Sequence, residues 1–262
     1  MNLLSIVERT DIAYKLAFSE REERPWGHLF RNEENPNHYD ANHAHISAPI
    51  ADSKQAAAIV EEIIPYFAEK GIHPRLYLYD PPHQQVLVEE LVRQGFHTEQ
   101  LPAPIQLWRG QFADVRQVSG IVIEPVAEAN CGDCLTVESV PELGGKEVRE
   151  KALARELAHP AFRHFLLRMD GQPASALCLL RAGDVMRIEN VATLPEYRGR
   201  GLIGHLIRHA QEQFLQTGGS QLWVCPINER VEQVYGRSGF VTVGVLPFLH
   251  AFRGGRAVSE IR

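Results

Sequence analysis

The stretch "EYRGRGLIGHL" at residues 196–206 holds a complete G-x-G-x-x-G, formed by Gly199, Gly201 and Gly204. Glycine lets a backbone come close to a ligand, so the pattern is typical of phosphate-holding loops. A nicotinamide dinucleotide loop directly follows its strand, and an acidic residue comes about twenty positions later. Here five residues separate Thr193 from Gly199, and the later stretch "SQLWVCPIN" contains no Asp or Glu. An oxidoreductase interpretation therefore rests on glycine spacing alone.

The loop still favours an anion site, because it opens into a helix. The first N–H groups of a helix have no intrahelical partner, and the helix dipole attracts negative charge. Arg198 and Arg200 add positive charge beside these groups. Together they predict a pyrophosphate site. The alternative is a tight turn with solvated arginines.

The second half of the chain alternates strand and helix patterns around this loop. Asp170-Gly171 between two apolar runs predicts a β-hairpin. A helix is predicted from Gly201 to Gly218-Gly219, and another from Asn228 to near Gly239. The first of these helices has an apolar stripe formed by Leu202, Ile203, Leu206, Ile207, Ala210 and Phe214. A further helix over "GGKEVREKALAREL" places Val148, Ala152, Ala154 and Leu157 on one side.

The first half repeats the order helix, strand, helix at a nearly constant offset. The corresponding pairs are Leu76 with Leu222, Tyr77 with Trp223, and Phe96 with Phe240. A divergent tandem duplication would explain this repeated order, and coincidence of common α/β patterning is the alternative. Residues 42–55 contain no glycine- or arginine-rich turn, and residues 110–120 are the candidate linker. We therefore expect domains at 1–110, without a phosphate loop, and at 119–262.

Composition limits the function classes. The chain has 262 residues and a formal net charge of −6, which gives no support for nucleic-acid or anionic-membrane binding. The first sixteen residues do not predict a signal peptide, no apolar stretch reaches transmembrane length, and the cysteines do not require disulfides. A cytoplasmic protein with free thiols is expected.

Two other groups of residues have the composition of redox or metal sites. Cys131 and Cys134 form a lone C-x-x-C without a visible helix N-terminus after a strand or a second ligand pair, so an inert pair is expected. His43 and His45 share one side of a strand, but two histidines do not complete a metal site. We expect no metal, and the histidine segment is expected to line the domain interface or an acceptor pocket.

The segments "VATLPEYRGRGLIGHLI" and "NERVEQVYGRSGF" resemble the GNAT N-acetyltransferase superfamily. The family's loop reads Arg/Gln-x-x-Gly-x-Gly/Ala, and residues 198–201 match its first four positions, whereas Ile203 departs from the sixth. The resemblance covers residues 119–262. It implies an α+β fold with a mixed, mostly antiparallel sheet flanked by helices, preceded here by a smaller, degenerate GNAT-like α/β half.

The resemblance also implies how acetyl-CoA would bind as cosubstrate. The backbone of Val191, Ala192 and Thr193 would pair with the pantetheine arm. The pyrophosphate would lie on Arg198, Gly199, Arg200, Gly201, Leu202, Ile203 and Gly204. Asn228 matches a family residue that reaches the cofactor arm, and a plain helix N-cap is the alternative.

The catalytic candidates are Tyr235 and Glu189. Tyr235 matches the family's "LY…GF" pattern, and a phenol with a reference pKa of about 10 can donate a proton to a leaving thiolate; its alternative is a packing role. Glu189 could accept the amine proton through water, bind a cationic substrate, or be a solvated strand residue. The implied enzyme moves an acetyl group from acetyl-CoA to an amine by direct attack in a ternary complex, and the alternative is a non-catalytic acyl-CoA sensor or scaffold. The acceptor would be a small-molecule amine or a peptide. The sequence is compatible with either a monomer or a homodimer.

Overall fold

The computed structural model describes residues 3–112 and 114–261. The α-helices are α1 (Leu3–Leu16), α2 (Ser53–Ala68), α3 (Gln85–Arg93), α4 (Cys131–Glu138), α5 (Gly145–Ala158), α6 (Leu202–Thr217) and α7 (Glu229–Arg237). The strands are β1 (Glu20–Arg24), β2 (Gly27–Arg31), β3 (His43–Ile46), β4 (Arg75–Leu78), β5 (His97–Trp108), β6 (Ile121–Pro125), β7 (Phe162–Met169), β8 (Gln172–Ala182), β9 (Val185–Thr193), β10 (Gln221–Val224) and β11 (Phe240–Phe252).

The chain divides into two compact units. Residues 1–14 and 104–245 form one unit, which we call the C-terminal unit. Residues 15–103 and 246–262 form the other, which we call the N-terminal unit. Helix α1 and strands β5 and β11 each contribute residues to both units. The domain limits proposed from the sequence, 1–110 and 119–262, stay predictions.

The sheet of the C-terminal unit has the strand order β5-β10-β9-β8-β7-β6. Its strands pair antiparallel, apart from β9 and β10, which run parallel. The predicted hairpin is confirmed: Met169 pairs with Gln172 across a turn at Asp170 (φ 50°) and Gly171 (φ 79°). Positive φ at both turn residues matches the twist of the two strands. The expected α+β class, with a mostly antiparallel sheet and flanking helices, is confirmed.

Helices cover both faces of this sheet. Helices α6 and α7 pack on one face in an apolar cluster that includes Leu206, Ile207 and Phe240. Helices α4 and α5 contribute Val137 and Leu153 to a smaller cluster on other strand residues. The predicted amphipathic helix is confirmed as α6, which Gly218 ends in a left-handed conformation. Because successive strand residues point to opposite faces, β7–β9 supply both clusters.

A buried ion network links α4, α5 and β7. The guanidinium of Arg149 donates to Glu138 Oε2 at 3.1 Å from Nε and to Glu156 Oε1 at 3.0 Å from Nη1. His164 lies 3.3 Å from Glu138 Oε1 through Nδ1 and 3.1 Å from Glu156 Oε2 through Nε2. All four residues are at most 2% exposed. We call these four residues the buried ion network.

Burial and pairing act in opposite directions on these groups. Burial alone would lower the pKa of His164, but contacts with Cys178, Cys134 and Glu138 raise it well above its usual value. Burial alone would raise the pKa of Glu138 and of Glu156, but Arg149 and His164 hold both below their usual value. At neutral pH two carboxylates therefore face two cations.

The sheet of the N-terminal unit has the order β1-β2-β3-β4-β11, with β3 and β4 parallel and the other pairs antiparallel. Helices α2 and α3 pack on one face in a cluster that includes Leu76, Leu78 and Leu249. The order β3–α2–β4–α3–β5 is the same as the order β9–α6–β10–α7–β11. Each series begins with a parallel pair connected by a helix.

His43 and His45 lie side by side on β3, fully buried. The ring of His43 packs 5.2 Å from Phe30 and 4.8 Å from Tyr77, between ring centroids, and His45 lies 4.4 Å from Tyr79. Burial lowers the pKa of His43 well below its usual value, so the ring is neutral at pH 7. These histidines are part of the buried aromatic layer of the N-terminal unit.

Two local expectations are wrong. Ala154 is exposed, and the buried side of α5 instead carries Arg149 and Glu156. Cys131 and Cys134 do stand at a helix N-terminus, because α4 begins at Cys131 after β6; both thiols are free. The described part of residues 110–120, the candidate linker, forms neither helix nor strand.

Within residues 3–112 and 114–261, every helix is too short or too polar to cross a bilayer.

Replacing Arg149 by Met should lower the free energy of unfolding by about 3–5 kcal/mol, because two buried carboxylates lose their shared cation. Lys151→Met is the matched control on the same helix: its ion pair with Glu147 is exposed and 3.8 Å long, so a change within about 0.5 kcal/mol is expected. Urea denaturation of both variants measures the difference. Equal effects would show that the network adds no more than a surface pair.

Candidate functional site

Strand β9 has a stretch of backbone that only one neighbouring strand covers. β8 pairs with β9 as far as Ser175↔Thr193. On the other side, the described register between β9 and β10 ends at Trp223↔Arg187. Strand β9 continues beyond that point through residues 188–193. Buried backbone N–H and C=O groups need partners, so this edge can receive an extended ligand that carries amide groups. Val191, Ala192 and Thr193, the predicted pantetheine stretch, lie on it.

The glycine loop follows this edge directly. After a single 3-10 turn at Pro195–Tyr197, Gly199 and Gly201 both adopt φ 79°, a conformation that favours glycine. Gly201 is the N-cap of α6 and has no side chain to cap it. A Cβ at either glycine would meet no atom within 4 Å. The start of α6 therefore has no capping side chain, and its first N–H groups are left for an anion, as the loop predicts.

Arg198 and Arg200 fix the loop and also supply its charge. Arg198 Nε donates to the carbonyl of Thr193 at 3.0 Å, and Arg200 Nη2 donates to the carbonyl of Glu196 at 3.0 Å. Both arginine side chains are exposed. The two guanidinium groups therefore place positive charge beside the start of α6, and their hydrogen bonds hold the backbone that leads into this helix.

Gly204 has a packing role. A Cβ on it would lie 3.0 Å from Val115 Cγ1, tighter than ordinary contact. Phe112, three residues before Val115, also packs nearby: its ring lies 5.3 Å from the ring of Trp108 and 5.4 Å from the guanidinium of Arg208. Close packing along α6 therefore accounts for glycine at position 204.

Tyr235 lies on α7 and is 3% exposed, with its ring 5.6 Å from that of Phe240. Burial, followed by the nearby Glu189 and Cys225, raises the pKa of Tyr235 above its usual value. The phenol is therefore protonated at neutral pH and can act as a donor.

Glu189 forms an ion pair with Arg187, two residues earlier on β9. Arg187 is 5% exposed and also pairs with Asp11 of α1, and its guanidinium lies 5.3 Å from the ring of Tyr14. Glu189 is thus not a freely solvated strand residue. A neighbouring guanidinium stabilises a carboxylate, which favours a ligand-binding role for Glu189 over a role as base. Arg187 and Asp11 had no signal in the sequence beyond their charge.

Asn228 caps α7: its Oδ1 accepts from the backbone N–H of Val231 at 3.0 Å. The cap uses only the carbonyl oxygen, so the side-chain NH₂ is the group that could reach a ligand. The two interpretations of Asn228 are therefore compatible.

One cluster has the composition of a metal site. Cys134, Glu138 and His164 each place a ligand atom within 4.8 Å of the others, all buried. However, Glu138 already accepts from Arg149 at 3.1 Å, and His164 lies within 3.3 Å of both Glu138 and Glu156. Ion pairing explains this cluster.

Comparison with known proteins gives a family for the central part of the chain. Residues 134–240 match the model of the acetyltransferase (GNAT) family. A GCN5-related N-acetyltransferase from Kribbella flavida shares 18% identity and a TM-score of 0.74, with 100% of each chain covered. A conserved protein of unknown function from Staphylococcus epidermidis shares 13% identity and a TM-score of 0.71, covering 91% of this chain and 95% of that one. A GCN5-related N-acetyltransferase-like protein from Streptococcus suis shares 12% identity and a TM-score of 0.55, covering 95% and 98%. No curated protein matches this chain.

Residues 134–240 therefore carry a GNAT acetyltransferase family domain, and the chain has the fold of the GCN5-related N-acetyltransferases. The matched segment begins in α4 and ends at Phe240, so it contains the open edge of β9, the glycine loop and Tyr235.

Asn228→Ala should lower the free energy of unfolding by about 1 kcal/mol, because the helix N-terminus loses its cap. Asn228→Asp keeps a capping oxygen and should leave stability unchanged or slightly raised. Urea denaturation of both variants checks the difference. A loss of stability in Asn228→Asp equal to that in Asn228→Ala would contradict the capping geometry.

Proposed function

We propose that the chain is an acyl-CoA-dependent N-acetyltransferase, which moves an acetyl group from acetyl-CoA to an amine by direct attack in a ternary complex. The observation that carries this proposal is the open edge of β9 at residues 188–193, which leads directly into the uncapped N-terminus of α6. An extended, amide-containing arm attached to a pyrophosphate has the chemistry that this arrangement fits.

At the phosphate end, the backbone N–H groups of Leu202 and Ile203 at the start of α6 would hold the pyrophosphate, with Arg198 and Arg200 beside it. The helix dipole favours anions at this position. The positive φ of Gly199 and Gly201 lets the loop turn while no side chain occupies the space in front of it.

At the pantetheine end, the backbone of Val191, Ala192 and Thr193 would pair with the amides of the arm, as an added strand pairs with a sheet edge. The NH₂ of Asn228 would donate to the same arm. These contacts would hold the thioester near the point where β10 leaves β9.

The reaction needs an uncharged amine and a stabilised leaving group. The amine nitrogen forms a bond to the thioester carbonyl carbon, the carbon–sulfur bond breaks, and the sulfur leaves with the electron pair. Tyr235 donates to that sulfur. A phenol with a raised pKa binds its proton more tightly than a thiol does, so it stabilises the departing charge chiefly as a hydrogen-bond donor.

The nitrogen must lose a proton, which passes to water or, through water, to Glu189. Because Arg187 stabilises the Glu189 carboxylate, we assign Glu189 first to the binding of a cationic acceptor. The acceptor would be a small-molecule amine or a peptide amine. Binding of acetyl-CoA without transfer to any member of an amine panel would instead favour the sensor interpretation.

Gly201→Asp should weaken acetyl-CoA binding by about 2 kcal/mol or more, roughly 30-fold, because a carboxylate would face the pyrophosphate. Gly218→Asp is the matched control: Gly218, with φ 67°, is equally strained by a side chain, and it lies at the other end of α6. Calorimetry should show affinity within about twofold of wild type for this control. Equal losses in both variants would place the pyrophosphate elsewhere.

Tyr235→Phe should lower turnover about ten- to hundredfold, about 1.4–2.7 kcal/mol, and leave acetyl-CoA affinity unchanged. The lower part of the usual range for acid catalysis is expected because a thiolate leaves readily without help. Tyr66→Phe in the N-terminal unit, which loses a hydrogen bond to Glu22, controls for the loss of a hydroxyl. Free-thiol release with an acceptor amine measures turnover, and full turnover in Tyr235→Phe would assign Tyr235 to packing alone.

A further inference from the structure

We propose that Asn190 is a positioning residue for the acyl-CoA arm: through its hydrogen bond to Glu156, the buried ion network fixes the bulge that lies within the open edge of β9. This inference rests on the proposed function, because it concerns how the same edge is held. It adds Asn190 and the network to the residues that determine cofactor affinity.

The bulge follows from the strand register. Ala176 of β8 pairs with Ala192 of β9, whereas Cys178 pairs with Glu189, and the register shifts between them. One residue of β8 therefore faces two residues of β9, Asn190 and Val191, which defines a β-bulge. The last described pair between β9 and β10 lies three residues before Asn190, at Arg187.

Asn190 has a left-handed backbone conformation, which some β-bulges use and most side chains avoid. Its φ is 49°, and among the described residues it shares a positive φ without being glycine only with Asp170. Left-handed geometry costs an L-residue free energy, and Asn tolerates it better than most. Such a conformation persists where surrounding contacts hold it in place.

The contact that holds Asn190 is a charged one. Its Nδ2 donates to Glu156 Oε2 at 3.1 Å, and Asn190 is 6% exposed. Glu156 cannot turn away, because Arg149 donates to the same oxygen at 2.8 Å and His164 Nε2 lies 3.1 Å from it. The acceptor for Asn190 is therefore fixed by two cations on two other elements, α5 and β7.

The position of this contact gives it a role beyond packing. Residues 191–193, which would pair with the pantetheine arm, follow Asn190 immediately. A rotation of the backbone at Asn190 changes the direction of their N–H and C=O groups. The glycine loop, by contrast, is braced separately by Arg198 and Arg200. Loss of the Asn190 contact should therefore affect the arm and spare the pyrophosphate.

The test compares Asn190→Gly with Asp170→Gly. Glycine adopts positive φ without strain, so both variants should fold, and both lose a side chain from a left-handed residue. Acetyl-CoA affinity is measured by calorimetry, and affinity for ADP, which has the pyrophosphate but no pantetheine arm, by competition. We expect Asn190→Gly to bind acetyl-CoA about tenfold more weakly with ADP affinity unchanged, and Asp170→Gly to match wild type for both ligands.

A second pair of variants tests the hydrogen bond itself. Asn190→Asp sets a carboxylate against that of Glu156, so acetyl-CoA affinity should fall further than in Asn190→Gly. Asn190→Asp combined with Glu156→Gln restores a donor–acceptor pair in the reverse direction, with the same total charge. This double variant should recover most of the lost acetyl-CoA affinity.

The outcomes separate this inference from the proposed function. Wild-type affinity for acetyl-CoA in Asn190→Gly, or equal losses for acetyl-CoA and ADP, would overturn the positioning role. Failure of the double variant to recover affinity relative to Asn190→Asp would overturn the part assigned to Glu156. Failure of the wild-type chain to bind acetyl-CoA would overturn the proposed function, and this inference with it.

Discussion

The architecture of the site depends on one constraint: β9 stays paired with β8 to its end but is paired with β10 only as far as Arg187. A strand inside a sheet normally has partners on both sides, and unpaired buried backbone groups are costly. The fold thus creates a demand for hydrogen bonds along residues 188–193 that the described registers do not meet. A ligand with amide groups can meet it. The glycine loop lies at the end of the same strand, so one ligand can satisfy both the edge and the helix N-terminus.

Buried charge holds this strand from more than one side. Arg187, before the open edge, pairs with Asp11 and Glu189, and Asn190, within it, is tied to Glu156. Buried ion pairs contribute little net stability compared with apolar packing, but they are directional and costly to break. Charged contacts of this kind suit a strand whose backbone must keep an uncommon conformation.

The elements around the site were predictable from local sequence, and the contacts that position it were not. The apolar periodicity and the flanking glycines correctly located α6. Asp170-Gly171 correctly located the hairpin between β7 and β8. Both signals are local in the sequence. The apolar pattern of α5 placed Val148, Ala152, Ala154 and Leu157 on one side and did not indicate that Arg149 is buried, since a charged residue is rarely buried unless it is paired. Its partner Glu138 lies on α4, and its partner Glu156 lies seven residues later on α5, outside the i, i+3 and i, i+4 spacings at which a helix pattern indicates ion pairs. The left-handed conformation of Asn190 was equally invisible, because it depends on the register between two strands.

The two units show how small sequence differences decide whether a helix N-terminus can receive an anion. In each unit a helix joins a parallel pair of strands, α2 between β3 and β4 and α6 between β9 and β10. The N-cap of α6 is Gly201, which offers no side chain, whereas the N-cap of α2 is Asp52, whose carboxylate accepts from the N–H of Gln55 at 2.8 Å. That carboxylate already uses the free N–H and places negative charge where a phosphate would lie. In addition, β3 is paired with β4 up to Ile46, its last residue. Among the described residues of the N-terminal unit, β3 and α2 therefore lack the open edge and the uncapped helix N-terminus that β9 and α6 have.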